Sequence, residues 1–314
     1  MPVISVVIPT HNRCHLLARA LDSLPPRPDG LLEVIVVDDG STDDTESVVR
    51  KSGREVTFLQ QAQAGPGAAR NLGLDATSGE YVAFLDSDDV WLPWTFSVYR
   101  QVLGQYPGAG FIAGSPFWFT DDSEIAVAAV AAAGELDARF FPDYFASATH
   151  PIWLGASCLL VRRHRRPRFE PSHMNAEDLD FALHFGAEPG FVWIRHPRTF
   201  GYRRHGPSAV GNFTRTLQGI NHLVDEERRG RYPGGNARRR ERLALITRAV
   251  RPPVVEGLKR GQWRQAWHLY RRTFGWHLAL RRWKFLLACP ALPLLSTSAG
   301  MGKTAGETTQ PSYG

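Results

Sequence analysis

The sequence has few cysteines and lacks long apolar runs. Its three cysteines, Cys14, Cys158 and Cys289, form no CxxC pair and no metal-ligand spacing, which excludes a disulfide framework and a zinc module. No segment approaches the roughly 18 consecutive apolar residues that a membrane-spanning helix needs. The first apolar run is too short for a signal peptide, and no basic segment precedes it. We therefore expect a cytoplasmic protein, either free or attached to the membrane face.

Two common phosphate-binding motifs are also missing. The sequence contains no P-loop motif, and no GxGxxG fingerprint follows its first apolar run. A hydrophobic fraction of 43% and a charged fraction of 22% exclude a coiled coil, a collagen-like chain and a wholly disordered one. With 314 residues, the chain has room for one large domain, or for one domain and an extension.

Charge is distributed unevenly along the chain. The net charge of +6 combines 25 acidic and 16 basic side chains in residues 1–200 with 20 basic and 5 acidic ones in residues 201–290. Two regions of opposite charge indicate two different roles. We therefore expect a domain over residues 1–212, a basic helical extension over 213–295, and a disordered tail over 296–314.

Residues 1–115 alternate between buried-strand and amphipathic-helix patterns, whereas residues 116–212 are less regular. This alternation predicts an α/β fold with a doubly wound, mostly parallel sheet and right-handed crossovers. Residues 121–148 indicate helix and loop without a clear pattern. The predicted strands are 3–8, 33–38, 56–60, 81–85, 156–161, 191–194 and 199–203, and the predicted helices are 16–24, 41–51, 66–76, 91–106 and 178–185.

Four polar clusters follow predicted strands or begin predicted helices. They are Pro9–Arg13, Asp38–Ser41, Ala64–Asn71 and Asp86–Asp89. In an open α/β sheet, ligands bind outside the carboxyl ends of the strands. We therefore expect the fold to gather these clusters at one edge of the sheet.

The cluster Asp86-Ser87-Asp88-Asp89 places three carboxylates within four residues. Such carboxylates repel one another unless a cation or hydrogen-bond donors compensate them. Hard oxygen ligands suit Mg²⁺ or Mn²⁺, and either ion also binds a diphosphate. The alternative is capping of the following helix, whose dipole favours acidic side chains at its start.

Two other clusters have weaker signals. Asp38-Asp39 before Gly-Ser is typical of a turn, but a carboxylate there also accepts hydrogen bonds from a nucleobase or ribose. Gly65-Pro66-Gly67 either marks a helix start or lets the backbone approach a ligand, with Arg70 facing a phosphate or carboxylate.

Taken together, the motifs are far more specific than any one of them. The segments ISVVIPTHN at 4–12, VIVVDDGST at 34–42, GPGAARNLG at 65–73 and GEYVAFLDSDD at 79–89 occur in this order. This series resembles the family 2 glycosyltransferases, which are inverting enzymes with a GT-A fold. The resemblance is strong over residues 3–115 and looser up to about residue 210.

The resemblance implies a site for a nucleoside-diphosphate sugar donor, with UDP the most common nucleotide in the family. It also implies a divalent metal, because Asp86, Ser87 and Asp88 match the DxD motif. Asp88 would be the stronger metal ligand, with Asp86 nearer the ribose. The other implied donor-site residues are Pro9, Thr10 and Asn12 around the nucleoside, Asp39 at the base, and Gly67 and Arg70 near the donor.

The acidic segment Asn175–Asp180 resembles the family's Glu-Asp acceptor motif. Inversion needs a carboxylate that deprotonates the acceptor hydroxyl opposite the leaving group. The motif implies that Asp178 is this base and Glu177 its neighbour, while the alternative is an acidic helix N-terminus. The family often has glycine where this chain has Ala176.

Two further segments also match the family. Trp153 precedes the position of the acceptor-side strand, and it either contributes to the acceptor pocket or belongs to the core. His205, at the end of Tyr202-Arg203-Arg204-His205, would complete the metal site or contact the diphosphate. The alternative for His205 is a surface histidine in a basic loop.

The basic extension has an aromatic stripe at helical spacing, formed by Trp263, Trp267, Tyr270 and Phe274. The stripe either packs on the catalytic domain, or residues 258–295 lie on an anionic membrane as a peripheral contact. No nucleic-acid motif is present, so we expect no nucleic-acid partner.

Processive synthases of the family have a Gln-x-x-Arg-Trp motif and spanning helices, whereas here Ala279 stands in place of the glutamine before Arg282-Trp283. The resemblance therefore implies transfer of a single sugar to a hydroxyl acceptor, such as a glycan or lipid-linked saccharide, in glycan or polysaccharide biosynthesis. Two alternatives stay open. One is a sugar nucleotidyltransferase, which would release pyrophosphate, and the other is a non-catalytic protein that binds a nucleotide sugar or a membrane.

Overall fold

The computed structural model describes residues 4–26, 31–125, 134–165, 168–204 and 212–298. The chain divides into two compact units. The first comprises residues 1–147 and 152–211, and the second comprises residues 148–151 and 212–314.

The first unit is built on an eight-stranded sheet. All eleven strands of the unit are β1 (Ile4–Thr10), β2 (Leu32–Asp38), β3 (Thr57–Gln60), β4 (Tyr81–Phe84), β5 (Val90–Trp91), β6 (Phe111–Ala113), β7 (Pro116–Phe119), β8 (Asp137–Phe141), β9 (Leu159–Arg162), β10 (Phe191–His196) and β11 (Phe200–Arg203), as far as the chain is described. The order in the large sheet is β3-β2-β1-β4-β9-β6-β10-β8. Strands β9 and β8 run antiparallel to their neighbours, and the other described pairs are parallel. The predicted mostly parallel α/β sheet is thus confirmed.

A second, three-stranded sheet has the order β5-β11-β7. Strand β11 runs parallel to β7, which places Tyr202 opposite Trp118, and antiparallel to β5, which places Gly201 opposite Val90. Because β5 begins directly after Asp89, this small sheet starts at the acidic cluster.

Helix packing on the large sheet positions one side chain of the site. Over the described residues, the α-helices of the first unit are α1 (Cys14–Ser23), α2 (Thr45–Lys51), α3 (Pro66–Ala76), α4 (Thr95–Gln105) and α5 (Glu177–His184). A Cβ atom on Gly73 of α3 would lie 2.3 Å from Cγ1 of Val7 in β1. The glycine therefore lets α3 lie directly on the buried strand, and this fixes the position of Arg70 one turn earlier.

Several element boundaries differ from the sequence predictions. The helix predicted from residue 91 begins at Thr95, because Val90–Trp91 pair with β11. The strand predicted over 156–161 starts as a 3-10 turn and becomes extended only at Leu159. Strand β8 lies in a region predicted as helix and loop. The prediction missed this strand because most of its side chains are exposed and show no apolar pattern.

The second unit is helical. Its longer helices are α6 (Phe213–Arg228), α7 (Arg239–Lys259), α8 (Trp263–Ala279) and α9 (Trp283–Ser298). Helix α9 continues past residue 295, so the first residues of the predicted tail are helical, and residues 299–314 lie outside the described part of the chain. Within that part, none of the helices has the length and apolar character to cross a membrane.

Candidate functional site

The first two polar clusters meet at the carboxyl ends of β1 and β2. The Asp39 amide donates to the Thr10 carbonyl at 2.9 Å. Asn12, which has a positive φ of 50°, receives the Thr42 amide at 2.8 Å, and its own amide donates to Ser41 Oγ at 2.9 Å. These bonds hold the segments predicted to surround a nucleoside in one rigid arrangement.

Thr10 is a buried residue with an unused polar atom. Its side chain is 3% exposed, and its Oγ1 has no hydrogen-bond partner among the residues that the structure describes. Buried hydroxyls are rarely left without a partner, and such a group is a candidate ligand contact. Its neighbour Pro9 lies within β1, opposite Val37.

Asp39 fixes the loop that leads into α3. Its two oxygens accept hydrogen bonds from the amides of Ala64 and Gly65, each at 2.8 Å, and from Gln61 Nε2 at 2.7 Å. The structure thus gives Asp39 a role within the protein, whereas its contact with a base stays a prediction. Gly67 also serves the protein itself, since a Cβ atom there would lie 2.2 Å from the Glu170 carbonyl oxygen.

Arg70 joins the two acidic motifs. Its Nη2 lies 2.6 Å from Asp86 Oδ1 and its Nη1 lies 3.0 Å from Glu177 Oε1, while its guanidinium stacks on Phe169 at 5.1 Å from the ring centroid. Burial opposes the charge of this buried side chain, but Asp86 and Glu177 outweigh that effect and raise the pKa of Arg70 above its ordinary value. Arg70 is therefore a permanent cation between motifs that are far apart in sequence.

The acidic cluster has two carboxylates facing arginines and one facing the protein interior. Asp88 Oδ2 lies 2.6 Å from Arg13 Nη1. Asp89 is buried and accepts bonds from Ser157 Oγ at 2.6 Å and from the Arg203 amide at 3.1 Å. Burial, and then Asp88 and Asp86, raise the pKa of Asp89 well above its usual range. Asp89 therefore organises the loop, and Ser87 is buried beside it.

The residues present fit a divalent cation that is shared with a ligand. Across the described ranges, no group of three or more His, Cys, Asp and Glu side chains is gathered as a complete metal site, and His205 lies outside those ranges. Asp86 and Asp88 nevertheless supply hard carboxylate oxygens on one short loop. Mg²⁺ is commonly held by one or two carboxylates together with phosphate oxygens and waters, and this donor set matches that pattern.

Asp178 lies in the first turn of α5, directly after Glu177. Burial, reinforced by the neighbouring charge of Glu177, raises the pKa of the Asp178 carboxyl to about 7. Its Oδ1 accepts the amide of Leu179 at 2.7 Å. Ala176, just before the helix, has a φ of 72°, a conformation that favours glycine and explains the residue type common in the resembling family.

Sequence reasoning missed three side chains that bind the acidic cluster. Arg13 contacts Asp88, Ser157 contacts Asp89, and Arg203 Nε donates to the Asp88 carbonyl at 3.1 Å. The available signal was the charge of the cluster itself. Three adjacent carboxylates require compensation, and Arg13 and Arg203 stand inside segments already singled out as motifs.

Comparison with known proteins gives a family match to part of the chain. Residues 5–145 match the model of glycosyl transferase family 2. Over 106 residues, the chain is 44% identical to the GalNAc(5)-diNAcBac-PP-undecaprenol beta-1,3-glucosyltransferase of Campylobacter jejuni, covering 32% of this chain and 34% of that protein. Over 105 residues it is 34% identical to the glycosyltransferase GlyA of Streptococcus pneumoniae, covering 32% and 15%. The matches thus span about a third or less of these relatives.

Solved structures match more of the chain. TarS 1–349 of S. aureus in complex with UDP superimposes with a TM-score of 0.63 at 16% identity, covering 95% of this chain and 92% of that one. The mannosyltransferase PcManGT from Pyrobaculum calidifontis, in complex with GDP-Man and Mn²⁺, has a TM-score of 0.52 at 20% identity, covering 95% and 88%. At these identities the likeness establishes the fold, and the predicted GT-A-type architecture is confirmed.

Proposed function

We propose, because residues 5–145 match the model of glycosyl transferase family 2, that the protein is a metal-dependent, inverting transferase that adds one sugar per encounter. The donor is a nucleoside-diphosphate sugar, with a UDP-sugar favoured, and the acceptor presents a hydroxyl group. The observation that supports this best is the network in which Arg70 joins Asp86 of the donor motif to Glu177 of the acceptor motif.

Asp178 is the proposed general base. A carboxylate with a pKa near the working pH combines a large deprotonated fraction with enough basicity to accept a proton. Asp178 accepts the proton of the acceptor hydroxyl, whose oxygen then bonds to the anomeric carbon while the bond to the diphosphate oxygen breaks. Glu177, paired with Arg70, holds the start of α5 in place during this step.

The donor site is proposed to form around the ends of β1 and β4. The Thr10 hydroxyl, which has no hydrogen-bond partner in the described part of the chain, faces the nucleoside together with Pro9 and Asn12, and Asp39 holds the adjoining loop. Asp88 and Asp86 would hold Mn²⁺ or Mg²⁺, which when bound stabilises the negative charge of the departing diphosphate. Arg13 forms an ion pair with Asp88. When a metal binds Asp88, the Arg13 guanidinium would either stay beside this carboxylate or bind the phosphates of the donor.

The acceptor is proposed to be a glycan or lipid-linked saccharide, in glycan or polysaccharide biosynthesis at the cytoplasmic side. The C. jejuni relative is named for a substrate attached to undecaprenol through PP. The match to that relative covers 32% of this chain, whereas the proposal concerns the whole chain.

A peripheral membrane contact through residues 258–295 is proposed for the second unit. Large apolar side chains that are between 40% and 74% exposed occur here, with exposed basic side chains beside them on the same helices or, for Arg281, between two of the helices. Apolar side chains next to cations suit an anionic lipid surface. The apolar ones are Trp263, Phe274, Leu278, Trp283 and Leu287, and the basic ones are Arg264, Arg271, Arg281 and Lys284.

Vesicle sedimentation tests this contact. The full chain should sediment with vesicles of phosphatidylcholine and phosphatidylglycerol, less with phosphatidylcholine alone, and less again in high salt. The double variant Trp283→Ser/Leu287→Ser should lose this binding, while Phe140→Ser, which changes an exposed aromatic of the first unit, should keep it. Equal sedimentation of both variants would contradict the contact.

Nucleotide binding tests the catalytic proposal. Thermal shift and calorimetry with UDP, GDP, dTDP and CDP, each with and without Mn²⁺, should show stabilisation by one diphosphate that depends on the metal. Asp88→Asn should abolish this response, whereas Asp75→Asn, an exposed aspartate on α3, should retain it. Release of nucleoside diphosphate, and not of pyrophosphate, should accompany turnover. Pyrophosphate as the product would favour a nucleotidyltransferase instead.

A further inference from the structure

Three partly exposed aromatic rings lie together in the first unit, and one of them is Trp153, for which the sequence left a place in the core or in the acceptor pocket open. Trp118, Trp153 and Tyr202 contact one another, and we call them the aromatic triad. The ring centroids are 5.2 Å apart for Trp118 and Trp153, 4.7 Å for Trp118 and Tyr202, and 5.3 Å for Trp153 and Tyr202. Such inclined contacts are favourable for aromatic pairs and hold the rings in a defined arrangement.

The fold builds the triad from three separate segments. The parallel register of β7 and β11 places Trp118 opposite Tyr202. Trp153 comes from the segment before β9, where a Cβ atom on Gly155 would lie 2.3 Å from Trp153 Cη2. Glycine at 155 therefore makes room for the indole. Arg204 covers part of Trp118, with its guanidinium carbon 4.8 Å from the ring centroid.

Asp89 connects the triad to the acidic cluster. One oxygen of Asp89 accepts a bond from Ser157, four residues after Trp153, and the other accepts a bond from the amide of Arg203, next to Tyr202. The same Ser157 hydroxyl accepts the Asp86 amide at 3.0 Å. The segments that hold two of the triad rings are thus fastened to the loop of the donor motif.

The Tyr202 side chain also lies in the electrostatic field of the site. Burial, followed by the charges of Asp89, Asp86, Asp88 and Asp178, raises the pKa of Tyr202 above its ordinary value. The carboxylates whose charges act on Tyr202 include both the proposed base and the donor motif. They favour a neutral, hydroxyl-rich ligand over an anionic one.

The chemistry of the triad matches one class of acceptor. Aromatic rings that stay partly exposed beside a polar site present an apolar surface with polar groups at its edge, as ligand sites commonly do. A pyranose has an apolar C–H face and hydroxyls at its rim. We propose that the aromatic triad is the acceptor subsite and binds the ring of a neutral saccharide, an inference that rests on the proposed transferase function.

Saturation-transfer difference NMR on the full chain tests this assignment. The probes are the methyl glycosides of glucose, galactose, mannose, N-acetylglucosamine and N-acetylgalactosamine, compared with glycerol 3-phosphate and 3-phosphoglycerate. At least one glycoside should receive saturation on ring C–H protons, and the phosphate esters should not compete with it. Removal of one stacking ring should weaken apparent affinity by roughly fivefold to tenfold.

The variants separate the triad from the rest of the unit. Trp153→Leu and Tyr202→Leu should weaken glycoside binding, and Gly155→Ala should do so with all three rings present, because its new methyl group displaces Trp153. Phe140→Leu, at an exposed aromatic in β8, should leave glycoside binding unchanged. Calorimetry with UDP or GDP and Mn²⁺ on the same variants should show that each donor site is intact.

The outcomes distinguish this inference from the proposed function. No glycoside saturation in the wild type, or saturation that persists in Trp153→Leu and Gly155→Ala, overturns the acceptor assignment even if the protein turns over a nucleotide sugar. Competition by the phosphate esters overturns it as well. Triad-dependent glycoside binding in a protein that never consumes a nucleotide sugar supports the subsite and contradicts the transferase function alone.

Discussion

Each unit buries one arginine beside a carboxylate, but the surroundings of the two arginines differ. Arg70 in the first unit and Arg242 in the second are each 3% exposed. Arg242 is enclosed, because the side chain of its partner Glu227 is 2% exposed and the Arg242 Nη1 donates to the carbonyls of Pro233 and Gly235 at 2.8 Å each. Arg70 instead holds carboxylates that are more open, with side-chain exposures of 29% for Asp86 and 14% for Glu177.

This difference separates an enclosed, structural ion pair from the pair in the proposed active site. Desolvating a charge is costly unless partners compensate it, so both arginines need their carboxylates. Around Arg242 the compensation is complete within the protein, and the pair joins α6 to α7. Around Arg70 the carboxylates keep accessible surface, so a ligand, a metal or an acceptor can share them.

The largest expected effect concerns Asp178, which lies next to Glu177 in the more exposed network around Arg70. Asp178→Asn should lower transfer by about a hundredfold to ten-thousandfold, because the acceptor proton has no base to receive it. Nucleoside-diphosphate binding should be unchanged in calorimetry. Asp75→Asn serves as the control, and loss of donor binding in Asp178→Asn would contradict the assignment.

The pH dependence of the wild type should follow from the same carboxyl. The base acts when deprotonated, so transfer should fall below the pKa of about 7 and reach a plateau above it. The same carboxyl affects stability in the opposite direction, because its deprotonation favours transfer but destabilises the fold. A folded pKa raised above the unfolded value of about 3.9 means that stability is lost as pH rises towards 7, so Asp178→Asn should raise the melting temperature at pH 8.

The next effect is on stability and tests the enclosed pair. Arg242→Met removes the cation that is hydrogen-bonded to buried Glu227 and leaves it only Arg239, whose Nε is 3.9 Å away. The variant should lower the free energy of unfolding by roughly 3–5 kcal/mol, measured by urea denaturation. Adding Glu227→Leu should recover much of that loss. The protein that stays folded should bind the donor normally. A specific loss of nucleotide affinity would contradict a purely structural role for the Arg242–Glu227 pair.

A smaller effect is expected when the fork of Arg70 is removed but its charge is kept. Arg70→Lys cannot reach Asp86 and Glu177 at once with the same geometry, so kcat should fall by about tenfold to a hundredfold while the KM for the donor changes less. Arg168→Lys, on an exposed pair with Asp75, is the matched control. A loss confined to the donor KM would indicate that Arg70 binds the donor directly.

The smallest effect concerns the backbone beside Asp178. Ala176→Gly should stabilise the protein by up to about 1 kcal/mol, because its positive φ is strained for alanine and free for glycine. Ala182→Gly within α5 should instead destabilise it, since glycine is unfavourable inside a helix. Chemical denaturation of both variants decides whether strain at residue 176 is real.

Prediction from the sequence succeeded where signals are local. The buried runs of β1 and β2 and the helix over 66–76 have lengths and polarities that specify their structure. It failed at β5 and β8, because a two-residue pairing and an exposed edge strand have no periodic pattern. The contacts of Arg13 with Asp88 and of Ser157 with Asp89 were not predicted either, because they join residues that are 75 and 68 positions apart in the chain.

The sequence by itself determined the α/β fold, the family resemblance, and the acidic residue types at the strand ends, because each depends on neighbours within a short segment. Only the tertiary structure decided that Arg70 joins Asp86 to Glu177, that Asp89 faces inward, and that three aromatic rings meet beside them. The physical reason is that these contacts join residues far apart in the chain. Burial and the neighbouring charges, which set the pKa of Asp178, exist only after the chain has folded.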